Sequence, residues 1–129
     1  MAFSAQRTVH HTPAETAEAL ASEEFHRSVI ESLGGTLVSF SREGDPEGPM
    51  TVTTVRSAPA RQLPEAAQKF IGDHVQVEQV ERWEAPEADG SRSGTTTITV
   101  AKAKATAEAS MHLRAAGAGT EYAVQGSLS

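Results

Sequence analysis

The 129-residue sequence predicts an α+β fold, one antiparallel sheet with its helices gathered near the N-terminus. Three observations carry that expectation. A capped, two-helix signal fills residues 12–35; about six strand-like runs follow it; and an alanine-rich segment around 101–113 alternates like a strand despite its helix-forming composition. Runs of strands with segregated helices define the α+β class.

Phe3, Ala5 and Val9 share one parity of the opening segment against Ser4, Gln6 and Thr8, the period of a half-buried strand whose apolar face Arg7 interrupts. Thr12 and Glu15 have capping-box spacing with Pro13 at the first helical position, so a helix starts there. Ser22 caps a second helix, in which Phe25, Val29, Ile30 and Leu33 fall on one face that should lie against a sheet, and Gly34 supplies the left-handed end. The runs 36–42 and 50–56 flank a turn-rich 43–49 and form a hairpin, with Pro59 as its stop. Leu63–Gly72 has Pro64 near its start and Gly72 at its end, the signature of a short covering helix. From Val75 to Glu84 the alternation changes parity at Val80, which predicts either a bulge or a strand buried on both faces.

Between Thr95 and Arg114 propensity and pattern conflict. Lys102 to Ala109 is made of good helix formers, yet Ala101, Ala103, Ala105, Ala107, Ala109, Met111 and Leu113 alternate without a miss against polar neighbours, a period no helix has. Strand is therefore expected. Twenty extended residues would reach ~65 Å, against a diameter under ~40 Å for a compact chain of this length, so a corner is placed near Lys102–Lys104. Residues 115–119 turn the chain into a last strand, Thr120–Leu128.

The length suits one domain spanning 1–129. A net charge of −6 with scattered Lys and Arg excludes a nucleic-acid or anionic-membrane surface. No apolar run approaches the ~20 residues of a membrane span, no signal-peptide core is present, and cysteine is absent; a cytoplasmic location is expected. Aromatic residues make up only 5%, so the core must be built from small side chains.

No catalytic, metal or cofactor site is expected. His10, His11, His26, His74 and His112 lack metal-ligand spacing and read as surface residues. No nucleophile elbow occurs, Gly117 and Gly119 lie between strands and form a turn rather than a phosphate cradle, and the acidic pairs Glu23–Glu24 and Glu84–Glu87 read as solvated. Parity turns Arg7, Arg56 and Glu81 toward the apolar side of the sheet.

In this order of elements, Thr12-Pro13-Ala14-Glu15 followed by Leu20, and Ser22-Glu23-Glu24-Phe25, resemble the opening helices of the START-like superfamily (SRPBCC, polyketide cyclases and lipid transport proteins). Leu33-Gly34-Gly35, Leu63-Pro64, Lys69-Phe70-Ile71-Gly72, Glu81-Arg82-Trp83, Ser93-Gly94-Thr95 and Gly119-Thr120-Glu121-Tyr122 are similar to an actinobacterial branch of it, a domain family of unknown function. The resemblance implies a helix-grip-like curved antiparallel sheet, in the order β-α-α-β-β-(short α)-β-β-β-β, wrapped on a long C-terminal helix. Three departures matter. Thr16 and Ala17 stand where bulky apolar residues are usual, implying a less well anchored first helix; the corner placed near Lys102 lacks the Gly or Pro that the family favours there; and with the sequence ending at Ser129 the domain is expected to be C-terminally incomplete, its groove covered by an oligomer contact or another partner.

The resemblance also implies a cavity between helix and sheet, with Phe25, Val29, Leu33, Phe70, Trp83, Met111 and Tyr122 as its lining; the same residues read equally as core, because pocket and core share a composition. The leading expectation is a non-enzymatic module binding a small apolar or lipid-like molecule. A cyclase- or aromatase-type enzyme, and an interaction domain whose open groove takes a partner helix, are the alternatives. An enzyme requires a buried ionisable group with a displaced pKa facing the cavity.

Overall fold

The computed structural model describes residues 2–59, 74–100, 105–117 and 119–128. Both helices start as their caps dictate. In α1 (Pro13–Leu20) the Thr12 amide donates to Glu15 Oε1 at 2.9 Å and the Glu15 amide to Thr12 Oγ1 at 3.1 Å, so each satisfies a donor that the first turn leaves open. In α2 (Glu23–Ser32) Ser22 Oγ accepts from the Phe25 amide at 3.3 Å, and Gly34, at φ 88°, ends the helix in the left-handed region.

The strands are β1 (Ala2–Val9), β2 (Thr36–Gly44), β3 (Met50–Pro59), β4 (His74–Trp83), β5 (Arg92–Val100), β6 (Ala105–Ala116) and β7 (Gly119–Leu128). Among the described residues they form one curved antiparallel sheet in the order β1-β7-β6-β5-β4-β3-β2, with the first and last strands paired and the helices linking its two edges. The alternating segment is strand, β6, rather than helix. Val100 pairs with Ala105, and the corner expected at Lys102–Lys104 lies outside the described residues, as does the helix expected at Leu63–Gly72.

One local expectation needs correction. Strand β4 pairs with β3 in unbroken register from Trp83 opposite Met50 to His74 opposite Pro59, so Val80 marks no bulge; nor is the strand buried on both faces, because Val80 is half-buried on the face where Gln76, Glu78 and Arg82 are exposed. The register shift falls instead in β2, between Leu37 and Ser39, where Val38 is the extra, exposed residue. Without it Leu37 and Phe40, of opposite parity, could not both face inward; the bulge restores the inner face for the rest of the strand.

Helix α1 lies on the hollow face of the sheet, where Ala17, Leu20 and Ala21 pack with Met50, Val52, Trp83, Met111 and Leu113. Thr16 and Ala17 are both buried, on a helix that meets β6 and β7. A hydrogen bond of 2.7 Å from Thr120 Oγ1 to the His11 carbonyl holds the approach to α1 against β7. The α2 stripe behaves differently. Ile30 alone is buried, beside Gly35 at the start of β2, while Phe25, Val29 and Leu33, aligned at four-residue spacing, are 40%, 41% and 58% exposed. At ~100° per residue Ile30 points well away from that line, and α2 meets the sheet only along its Ile30 side.

Arg92 holds one end of the molecule together. Although 3% exposed, it has no carboxylate partner; its guanidinium donates to the carbonyls of Pro46 (2.7 Å), Gly48 (2.8 Å) and Glu84 (2.8 and 3.1 Å), and lies 5.9 Å from the Trp83 ring centroid. The β2–β3 turn and the exit of β4 thus share one cation. Arg92→Ala should lower unfolding free energy by roughly 2–4 kcal/mol, since it orphans three carbonyls. Arg92→Lys, which keeps the charge but not the fork, should recover only part of it; urea unfolding of both variants measures this.

Candidate functional site

The register fixes which side chains share the hollow. Val52 faces Glu81 and Glu81 faces Thr96 across neighbouring strands, Thr54 faces Gln79, and Met50 faces Trp83. A polar chain therefore crosses an otherwise apolar surface. Arg56 Nη1 donates to Gln79 Oε1 at 2.9 Å; Gln79 Nε2 donates to Glu81 Oε2 and to Thr96 Oγ1, each at 3.2 Å; and Trp83 Nε1 donates to Glu81 Oε1 at 3.1 Å. Glu81 is 6% exposed. Burial pushes its carboxyl above the ordinary glutamate value, opposed by the Trp83 N–H and by the charges of His26 and Arg56. Burial likewise pulls Arg56 down, against the opposing effect of Glu81.

His26 is not the surface residue the sequence suggested. It is half-buried, its Nε2–H donates to the Leu20 carbonyl at 2.7 Å, and its ring sits 5.7 Å from those of both Phe25 and Phe40. The other four histidines are exposed. His112 Nδ1 lies 3.2 Å from Ser93 Oγ on the outer face, with no carboxylate among the described residues to orient its ring. Among the described residues no three His, Asp or Glu side chains group closely enough to hold a metal, and no helix is long and apolar enough to cross a membrane.

Beside the polar chain, a cleft of ≈ 630 Å³ opens between β1, β7 and the two helices. Pairing of Arg7 with Tyr122 and of Ala5 with Val124 sets these four on its sheet side, joined by Val9; Thr16, Ala19, Leu20 and Phe25 close it from the helices, with Gln6, His11 and Glu15 also in contact. Tyr122 donates its hydroxyl to Met111 Sδ at 3.3 Å and meets Trp83 edge to face at 6.2 Å. Burial, with a smaller effect of Glu81, raises its pKa well above the ordinary phenol value.

Of the residues singled out from the sequence, Phe25 and Tyr122 stand together at this cleft. Trp83 and Met111 are packed into the core behind it, Val29 and Leu33 are exposed on α2 and do not line it, and Phe70 lies outside the described residues. Sequence reasoning missed Val9, Ala19, Leu20 and Val124 as lining. The parity of β1 and β7 carried a signal for Val9 and Val124; nothing carried one for Ala19, whose small size makes room without marking itself.

The curved sheet, the paired helices and the hollow define a helix-grip-like α+β fold. The chain belongs to DUF2505, a family described as of unknown function, which matches residues 4–129. Its fold is similar to that of TTHA0849 from Thermus thermophilus (11% identity, 99% of this chain and 73% of that one, TM-score 0.56). Similar too are Ara h 8.0201 (16%, 99% and 76%, 0.51) and an uncharacterised protein from Rhizobium leguminosarum (9%, 99% and 76%, 0.58). At these identities the likeness is one of fold alone. No curated protein matches the sequence.

The raised pKa of Glu81 has a defined sign. Between the unfolded glutamate value of ~4.3 and the higher folded value, the native state keeps a proton that the unfolded state has lost, so this group makes stability fall as pH rises through that window. The difference in urea midpoint between wild type and Glu81→Gln, followed upward from about pH 4, should show wild type losing ground to the variant. A flat difference would mean that the carboxyl titrates normally.

Proposed function

We propose that the protein binds a small apolar or amphipathic molecule in the cleft between α1, the start of α2, β1 and β7, and that it does so in the cytoplasm. The cleft itself carries this reading. Its ≈ 630 Å³ falls within the ~300–1,000 Å³ of small-molecule sites, and its walls set Ala5, Val9, Ala19, Leu20, Phe25 and Val124 beside an equal number of residues with polar groups that can orient a ligand. Phe25 and Tyr122 make direct contact in this reading, while Trp83 and Met111 stiffen the floor from behind.

A second reading, an enzyme of the cyclase or aromatase type, is favoured by one observation: Glu81 is buried on the hollow face with a raised pKa. That chemistry requires a substrate to reach past the cleft, because Glu81 is not among the cleft's lining residues.

Titration with the neutral fluorophore N-phenyl-1-naphthylamine, followed by emission and by NMR shifts, tests the binding reading. Shifts should concentrate at Phe25, Tyr122 and Val124. Ala19→Trp, which fills the cleft from a half-buried helical position, should weaken binding at least ~10-fold while leaving the melt unchanged. Binding that ignores Ala19→Trp, or shifts confined to the outer face, would remove the cleft from consideration.

A further inference from the structure

Resting on the cleft as the ligand site, we infer that its ligand is an acidic amphipath, a single carboxylate on an apolar body, and that Arg7 is the residue that recognises the head group. Arg7 sits mid-strand in β1, opposite Tyr122, with Ala5 and Val9 its neighbours on the same face. Arg7 is exposed, so its guanidinium is held by solvent and is free to turn to a ligand. Among the described residues the ion pairs join His11 to Glu15, Arg27 to Glu23 and Arg114 to Glu121, and no hydrogen bond engages the Arg7 guanidinium.

The acid that lines the cleft, Glu15, is turned to another task. Its Oε1 accepts from the Thr12 amide at 2.9 Å, lies 4.0 Å from His11 Nδ1, and thereby completes the start of α1. Beside Arg7, the Tyr122 hydroxyl donates only to a thioether, Met111 Sδ. Sulfur is a weak acceptor, so a carboxylate placed between Arg7 and Tyr122 takes a forked pair of N–H donors from one and an O–H from the other. The apolar body then runs over Val124 and Leu20 toward Phe25.

The test compares dodecanoate with dodecanol, equal in chain length and different in head group, by calorimetry on wild type, Arg7→Gln and Arg7→Glu. Wild type should bind dodecanoate about 10-fold tighter than dodecanol. Arg7→Gln should erase that preference and Arg7→Glu reverse it. Arg7 is exposed and unbonded, so the variants should melt as wild type does; the preference measured on wild type alone remains decisive if they do not. Equal binding of the two probes by wild type, or a preference that survives Arg7→Gln, overturns the role of Arg7 and leaves the cleft standing as a site for neutral ligands. Failure of both probes to bind overturns the site as well.

Discussion

The structure depends on continuous antiparallel pairing from β1 through β7 to β2. Because side chains alternate strictly along each strand, each pairing commits a whole row to the hollow or to the outer surface, and six successive pairings make one continuous inner face. The single register shift, at Val38, serves the same end by bringing Phe40 inward after Leu37. A slip of one residue in any other pair would exchange core for solvent along the strand.

That constraint also forces polar groups inside. Arg56, Gln79, Glu81 and Thr96 stand on inward parity, and the chain of hydrogen bonds from Arg56 through Gln79 to Glu81 answers the cost of burying them. Arg92 solves a related problem differently: with no carboxylate in reach it uses backbone carbonyls, and in doing so ties together two loops that the sheet alone would leave separate. Arg7 is on the same inward parity but exposed at the cleft, where solvent takes the place of such partners.

Small side chains shape the hollow as much as large ones. Ala17 and Ala21 let α1 settle on the sheet, and Gly94 lets Trp83 lie flat against β5, where a Cβ would come within 2.7 Å of the Arg82 carbonyl and 2.8 Å of the indole. The room that remains near Ala5 and Ala19 is the cleft. Among the described residues the few aromatic side chains meet one another: Trp83 with Tyr122, and Phe25 and Phe40 with His26.

The sequence by itself determined what depends on local chemistry and period: the caps at Thr12 and Ser22, the left-handed stop at Gly34, strand rather than helix in the alanine-rich β6, the α+β class, and the inward parity of Arg7, Arg56 and Glu81. Only the tertiary structure decided what depends on residues far apart in the chain: that β1 closes against β7 and so brings Arg7 to Tyr122, that the bulge lies in β2 and not in β4, that Ile30 and not the Phe25–Leu33 line seats α2, and that His26 turns inward. Of the seven lining candidates, the cleft gathers Phe25 and Tyr122, because an apolar residue carries the same pattern whether the space beside it is filled or empty. Period is a property of neighbours in sequence; a cavity is a property of neighbours in space.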